Sequence, residues 1–219
     1  MSGPYRLVVF DWEGTLGDTL GQILHTVAVE ARRLQLGELD EQVARQYVVL
    51  GLVMAVRKIF PHLSLHQQEQ LLDAVQLALL RNPLDIFLMT GAKEMLQQIH
   101  DAGISLAIAT NKGQQSLRRV LQATGLDLLF TSTRSAGQVP AKPCPQMLIE
   151  IMDECGVTAV ETLMVGDSVA DIEMARAIGV DAVGVDFYHQ EESNLRAAGA
   201  MQVFDDYKQL ATFLRLPGA

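Results

Sequence analysis

The chain has 219 residues, enough for one large or two small domains, and its 49% hydrophobic residues suffice for a sizeable buried core. Lysine and arginine number 17 against 26 aspartates and glutamates, a formal net charge of −9. This acidic balance excludes the basic field that would attract a nucleic acid or an anionic membrane surface, so neither is expected as a partner. A phosphate-bearing ligand would need cations placed locally.

Cysteine usage and the N-terminus predict a cytoplasmic protein. Cys144 and Cys155 have neither the number nor the spacing of a disulfide framework or a metal site, which favours a reducing compartment. The first five residues run into strand residues without a signal-peptide pattern. No window approaches the ~18 consecutive apolar residues of a membrane helix.

The first predicted element is a short apolar strand with acidic residues at its end. Residues 7–10, Leu-Val-Val-Phe, are typical of a strand that is buried on both faces of a parallel sheet. Asp11 and Glu13 follow where the chain leaves the strand, and Gly14 permits a tight loop around what they hold. An open α/β sheet binds its ligands at such strand ends.

Residues 18–82 carry helical patterns without a convincing strand. Apolar residues recur at helical spacing from Leu20 and predict a first helix that ends near Gly37. Asp40 is a candidate cap for a second helix running toward Val49, and a third is predicted over 52–60. Ser64-Leu-His-Gln67 has the form of a capping box and predicts a fourth, which Asn82-Pro83 ends.

Residues 83–219 alternate helices with strands, which predicts a parallel sheet covered on both faces. The expected strands lie near 104–109, 128–131, 162–165, 181–185 and 200–204. The expected helices begin at a Thr90 cap and then cover 114–123, 145–155, 171–178, 191–198 and 207–214.

Polar residues follow two of these strands and lie between them in the chain. The strand over 104–109 runs into Thr110-Asn111-Lys112, and the strand over 162–165 runs into Gly166-Asp167 with Asp171 four residues later. Lys142 lies between them, before a proline. The order along the chain is an acid pair, a hydroxyl, a lysine and a second acid pair.

This order and spacing resemble the haloacid dehalogenase superfamily, in its phosphoglycolate phosphatase-like branch. The resemblance implies an α/β fold: a doubly wound, Rossmann-like parallel sheet with a helical cap domain inserted after the first strand. The catalytic core would comprise residues 1–17 and 83–219, and the cap residues 18–82. It also implies a magnesium-dependent phosphatase that hydrolyses a small phosphorylated metabolite through an aspartyl-phosphate intermediate.

The resemblance assigns roles residue by residue. Asp11 would be the nucleophile and would bind Mg²⁺ together with the Glu13 backbone carbonyl and the Asp167 carboxylate. Thr110 and Asn111 would hold the phosphoryl oxygens, and Lys142 would face the carboxylates and the phosphate. Phosphoryl transfer needs a nucleophile, a cation that neutralises the phosphate oxygens, and an acid that protonates the leaving oxygen.

Two of these residues have alternative, purely structural interpretations. Thr110 is also a residue type found at N-caps, here of the helix that follows Lys112. Asp171 completes a capping box with Ser168, whereas its functional role would be to orient Lys142 or a metal-bound water. Trp12 is interpreted as a packing residue.

Glu13 departs from the family pattern, which has Asp at this position as the acid and base. Glu is one methylene longer, so its carboxyl is displaced, and we expect Glu13→Asp to raise turnover unless the site is built around the longer side chain. Two alternatives to the phosphatase stay open. One is a phosphomutase of the same superfamily, which has a similar cap and similar motifs; the other, because Glu13 replaces the usual Asp, is a catalytically weakened, phosphate-binding regulatory protein.

Overall fold

The computed structural model describes residues 5–40, 43–44, 47, 51–81 and 87–217. The chain divides into two compact units, one of Met1–Gly17 with Leu88–Ala219 and the other of Asp18–Phe87. The predicted second helix, over 40–49, and the Asn82-Pro83 helix end lie wholly or partly outside the described residues. Among the described helices, none has the length and apolar character needed to cross a membrane.

The first unit is built on a six-stranded sheet in which every neighbouring pair is parallel. Its strands, in chain order, are β1 Leu7–Phe10, β2 Ser105–Gly113, β3 Ser132–Ala136, β4 Thr162–Gly166, β5 Asp181–Val185 and β6 Val203–Phe204. They lie in the order β3-β2-β1-β4-β5-β6. The order reverses direction at β1 and β4, where doubly wound sheets open a crevice. The predicted α/β doubly wound fold is thus confirmed.

The helices of this unit are named in chain order after those of the second unit, which holds α1 to α3. They are α4 Ala92–Asp101, α5 Gln114–Thr124, α6 Gln146–Cys155, α7 Val169–Arg176, α8 Glu192–Ala198 and α9 Tyr207–Phe213. On one sheet face, Leu7 and Val9 pack in a buried cluster with residues of α6 and α7 such as Ile151 and Ile172. Val8 and Phe10 alternate to the opposite face and are also fully buried. Cover on both faces is what the continuous apolar run of β1 predicted.

The third strand differs from its prediction. Residues 128–131 were expected as a strand because they are apolar, but Leu128 is 91% exposed and β3 begins only at Ser132. The sequence of β3, Ser-Thr-Arg-Ser-Ala, is polar because this strand is at the sheet edge and pairs only with β2. Its Arg134 pairs with Glu150 at 2.7 Å. An edge strand needs fewer apolar residues than a central one, so the apolar pattern misplaced it.

Several helices and strands also begin or end at residues other than those predicted. The strand predicted over 104–109 extends to Gly113, and the last predicted strand shortens to Val203–Phe204. Helix α4 begins after Gly91, which has a left-handed backbone at φ 81° and no side-chain cap, so the predicted Thr90 cap is wrong.

The second unit consists of helices packed around their own core. They are α1 Thr19–Arg33, α2 Leu52–Ile59 and α3 Leu65–Arg81. A buried cluster that includes Val27, Phe60 and Leu71 joins all three segments. The predicted capping box is present, since Gln67 N donates to Ser64 Oγ at 3.3 Å and Ser64 N donates to the Gln67 side chain at 3.0 Å.

Candidate active site

The predicted site residues lie at the carboxyl edge of three adjacent strands. The last residue of β1, Phe10, pairs with Ile108 of β2 on one side and Val165 of β4 on the other. Asp11 follows β1, and Asp167 follows the end of β4 at Gly166. Because parallel strands end at the same edge, residues far apart in sequence converge there.

Three carboxylates form a cluster at this edge. Asp11, Asp167 and Asp171 each offer an oxygen, and these oxygens lie within 4.8 Å of one another. The Asp171 side chain is fully buried and the Asp11 side chain is 10% exposed. Three negative charges held this closely away from water require compensation by cations.

Lys142 supplies one such cation. Its ammonium, only 3% exposed, lies 2.7 Å from Asp11 Oδ1 and 2.6 Å from Asp171 Oδ1. The contact with Asp171 is an aligned hydrogen bond, whereas the contact with Asp11 is an ion pair without hydrogen-bond alignment. Lys142 precedes a cis peptide bond to Pro143, and its backbone N–H donates to Asn111 Oδ1 at 3.0 Å.

The electrostatics of the cluster raise the pKa of two carboxyls. Burial, followed by the charge of Asp171, raises the pKa of Asp11 to about 6, although Lys142 opposes the shift. Burial and the charges of Asp11 and Asp171 raise the pKa of Asp167 to about 7. For Lys142, burial acts to lower the pKa, but the two carboxylates that it contacts outweigh burial and raise it. One lysine therefore does not neutralise the cluster.

Asp171 is both a capping residue and a partner of Lys142. Helix α7 begins at Val169, two residues before the predicted start, so Asp171 lies in its first turn. The N–H and hydroxyl of Ser168 donate to Asp171 Oδ2 at 3.1 and 2.6 Å, while Asp171 Oδ1 binds Lys142. The two interpretations of Asp171 from sequence are compatible, because each uses a different carboxylate oxygen.

Thr110 is not a helix cap. It lies inside β2, and α5 begins only at Gln114 with Gly113 as its N-cap. Its side chain is buried, and its hydroxyl accepts a hydrogen bond from Lys112 N at 3.2 Å. The structural alternative for Thr110 is therefore wrong, and the hydroxyl stands at the same strand edge as Asp11.

Two further interactions were not predicted. Lys112 forms an ion pair with the Glu13 carboxylate, although its place in the sequence predicts no role for it. Tyr207 on α9 donates to the Thr15 carbonyl, and the Thr15 hydroxyl donates to Asp167 Oδ1 at 3.0 Å. Burial and the charge of Asp167 raise the pKa of Tyr207 well above its usual value. The only local signal for Lys112 was its position two residues after Thr110.

The loop after β1 fits closely against the cluster. Gly14 has φ 73°, and a Cβ at this position would overlap the carboxylate of Asp167. Only glycine combines that backbone with that approach. Among the described residues, the cluster holds three carboxylates and only one adjacent ammonium. Carboxylate oxygens are the ligands of hard divalent cations such as Mg²⁺, so the residues present fit a bound cation.

The matching family model is decisive for the classification. It is that of the haloacid dehalogenase-like hydrolases, and it matches residues 8–185. The chain belongs to this family. The predicted enzyme class, a phosphatase among the haloacid dehalogenase-like hydrolases, is confirmed at that level.

Relatives and solved structures of this family cover nearly the whole chain. A phosphoglycolate phosphatase of Rhodospirillum rubrum is 30% identical, over 97% of this chain and 92% of the relative. A haloacid dehalogenase family hydrolase of Deinococcus radiodurans, solved with bound phosphate and sodium, has TM-score 0.72 at 21% identity and covers 99% of both chains. A putative beta-phosphoglucomutase of Thermotoga maritima has TM-score 0.67 at 20% identity, over 96% of this chain and 98% of that one. The two structures share the fold with this chain.

Proposed function

We propose that this protein is a magnesium-dependent phosphatase that hydrolyses a small phosphomonoester through a phosphorylated Asp11. The observation that carries the proposal is the arrangement of Lys142 between Asp11 and Asp171, with Asp167 beside them. This arrangement brings the Asp11 carboxylate together with a buried ammonium and two further carboxylates, which supports the proposal. The similarity to the Rhodospirillum rubrum phosphoglycolate phosphatase supports the substrate class.

The reaction has two steps on Asp11. In the first, an Asp11 carboxylate oxygen bonds to phosphorus while the bond from phosphorus to the ester oxygen breaks, and Glu13 gives its proton to the departing alcohol. In the second, water bonds to the same phosphorus, Glu13 takes the water proton, and the bond to Asp11 breaks. Inorganic phosphate and an unchanged Asp11 are the products.

The other residues orient and neutralise the phosphoryl group. The Thr110 hydroxyl and the Asn111 amide hold phosphoryl oxygens, and Lys142 offsets their charge. Asn111 also fixes the Lys142 backbone, so one segment serves both functions. Asp171 orients the Lys142 ammonium through its hydrogen bond.

Asp11, Asp167 and the Glu13 carbonyl are the residues that would hold Mg²⁺. When bound, the cation supplies positive charge that offsets the phosphoryl oxygens and the clustered carboxylates. The backbone carbonyl of Thr15 accepts a hydrogen bond from Tyr207, and the Thr15 hydroxyl donates one to Asp167. These bonds restrain the Asp167 carboxylate for metal binding.

The helical unit, residues 18–87, would serve as the cap of the site. We infer that it acts as a lid that excludes water during transfer, with one hinge near Gly17; the second expected hinge, at residues 82–83, lies outside the described residues. It has a buried core of its own, which a body that moves as a unit requires. Hydrogen exchange measured with and without Mg²⁺ and a phosphate analogue should be slower, with both ligands present, in the hinge segment near Gly17. Unchanged exchange there would remove the lid.

The central test is the Asp11→Asn variant. We expect it to release no phosphate from a panel of phosphorylated metabolites, and we expect chelation of the unmutated protein to abolish release reversibly. The exposed Asp127 provides a matched Asp→Asn control that should leave turnover unchanged. In the unmutated protein, rapid-quench mass spectrometry should detect a phosphoryl group on Asp11. Substantial turnover by Asp11→Asn would rule out the covalent mechanism.

The same panel distinguishes the alternatives. A phosphomutase would return the phosphoryl group to a sugar hydroxyl, so its product would be an isomeric sugar phosphate and not inorganic phosphate. The similarity of fold to a putative beta-phosphoglucomutase keeps this alternative in the test. A phosphate-binding regulatory protein would bind the ligand without either product.

A further inference from the structure

The side chain of Glu13 is held by a lysine from another strand end. Lys112 and Glu13 are 99 positions apart in sequence, yet the ammonium and the carboxylate are in direct contact. The Lys112 side chain is 19% exposed and that of Glu13 is 41% exposed. Ion pairs with this much exposure stabilise a fold little, so a stabilising role alone gives a weak reason for the contact.

An irregularity in β2 delivers Lys112 to this position. The pairing of β2 with β3 shifts register between Thr110 and Gly113, so the ladder is irregular at the end of the strand. Irregularities of this kind, such as bulges, redirect side chains at the edges of sheets. The Lys112 N–H bonds to the Thr110 hydroxyl at 3.2 Å, and the neighbouring Asn111 accepts from the Lys142 backbone at 3.0 Å. The backbone that carries Lys112 is therefore fastened to two other parts of the site.

The length of Glu13 matters for this contact. An aspartate on the same backbone would end about one carbon–carbon bond earlier, or ~1.5 Å. At that distance the carboxylate would withdraw from the Lys112 ammonium, because ion-pair hydrogen bonds are confined to a narrow range near 2.8 Å. The lysine contact is thus matched to the longer side chain.

We propose that Lys112 is a positioning residue that holds the Glu13 carboxylate where it exchanges protons with the leaving oxygen and the attacking water. This inference rests on the proposed phosphatase function. It makes Glu13 and Lys112 one functional pair, so that the site is built around glutamate. A displacement of ~1 Å in such a group costs up to ~100-fold in rate, which is why a weak ion pair has a large kinetic effect. Under this proposal Glu13→Asp lowers turnover and does not raise it.

The test compares Lys112→Met with Lys93→Met, an exposed lysine of α4, using p-nitrophenyl phosphate and Mg²⁺. We expect kcat to fall at least ~10-fold in Lys112→Met and KM to fall with it, so that kcat/KM stays nearly constant, because slower hydrolysis of the phosphorylated enzyme lowers both quantities. Aryl phosphates have good leaving groups, so the loss should fall on the second step. Phosphorylated Asp11 should then accumulate in Lys112→Met but not in Lys93→Met. Lys112→Arg, which keeps the charge, should retain most of kcat.

A double-mutant cycle separates positioning from other roles. In the Glu13→Asp background, adding Lys112→Met should change kcat little, because the shorter carboxylate has already lost the lysine. A raised KM with unchanged kcat, persisting in that background, would mean that Lys112 contacts the substrate and would overturn the proposal. So would a kcat equal to that of Lys93→Met. If the unmutated protein releases no phosphate and forms no phosphorylated Asp11 with any substrate, the proposed function fails, and this inference with it.

Discussion

Replacing Lys142 with methionine should strongly destabilise the metal-free protein. Methionine has a similar length but no charge, so Lys142→Met leaves Asp11 and Asp171 facing each other without the ammonium between them. Both carboxylates are almost completely buried, at 10% and 0% exposure. Water therefore cannot replace the lost partner.

The size of the effect follows from the two distances. At 2.7 and 2.6 Å, each ion pair is worth about 6 kcal/mol of gross attraction at an effective dielectric constant near 20. The cost of burying the ammonium offsets much of this, and breaking a buried pair by removing one partner typically costs about 3–5 kcal/mol. For a unit of this size, that loss lowers Tm by roughly 6–20 °C.

Urea unfolding in the presence of a chelator provides the assay. Trp12 is the single tryptophan of the chain and is 2% exposed beside Asp11, so its fluorescence reports unfolding of the sheet unit. Arg196→Met is the matched control, because Arg196 pairs with Glu192 at 2.8 Å on an exposed helix face where such pairs contribute about 0.3–0.5 kcal/mol. Equal losses in the two variants would refute the claim that the buried ammonium stabilises the two carboxylates that it contacts.

Three further predictions concern pH and packing. In the metal-free protein, Asp167→Asn should raise Tm more at pH 8 than at pH 5, because the raised pKa of Asp167, about 7, makes its charge increasingly destabilising as pH rises from about 4 to about 7. Glu161→Gln should lower Tm above pH 5, and the difference should vanish toward pH 2 in thermal scans, because hydrogen bonds from Thr158 and then Arg6 lower the pKa of Glu161 to about 2. Phe60→Ala removes a fully buried ring from the helical unit and should cost about 3–5 kcal/mol by circular dichroism, whereas Leu80→Ala, at a 78% exposed position, should stay within about 0.5 kcal/mol.

Local chemistry was sufficient to predict much of this protein from its sequence. The four-residue apolar run placed β1, and the carboxylate after it placed Asp11 at a strand end. The Ser64 capping box set the start of α3, since the groups that satisfy a helix terminus lie within one turn of it. The order of polar residues after strands indicated the family, because parallel strands bring their carboxyl ends to one edge whatever lies between them.

Contacts between distant residues were decided only by the tertiary structure. Lys112 lies 99 positions from Glu13, and Tyr207 lies 192 positions from Thr15. No pattern within a window of sequence encodes such pairs, because they depend on which strands become neighbours and how an irregular strand end turns a side chain. The sequence pattern misplaced β3 for the same reason. A strand at the sheet edge can be polar, and only the assembled fold determines that β3 lies at the edge.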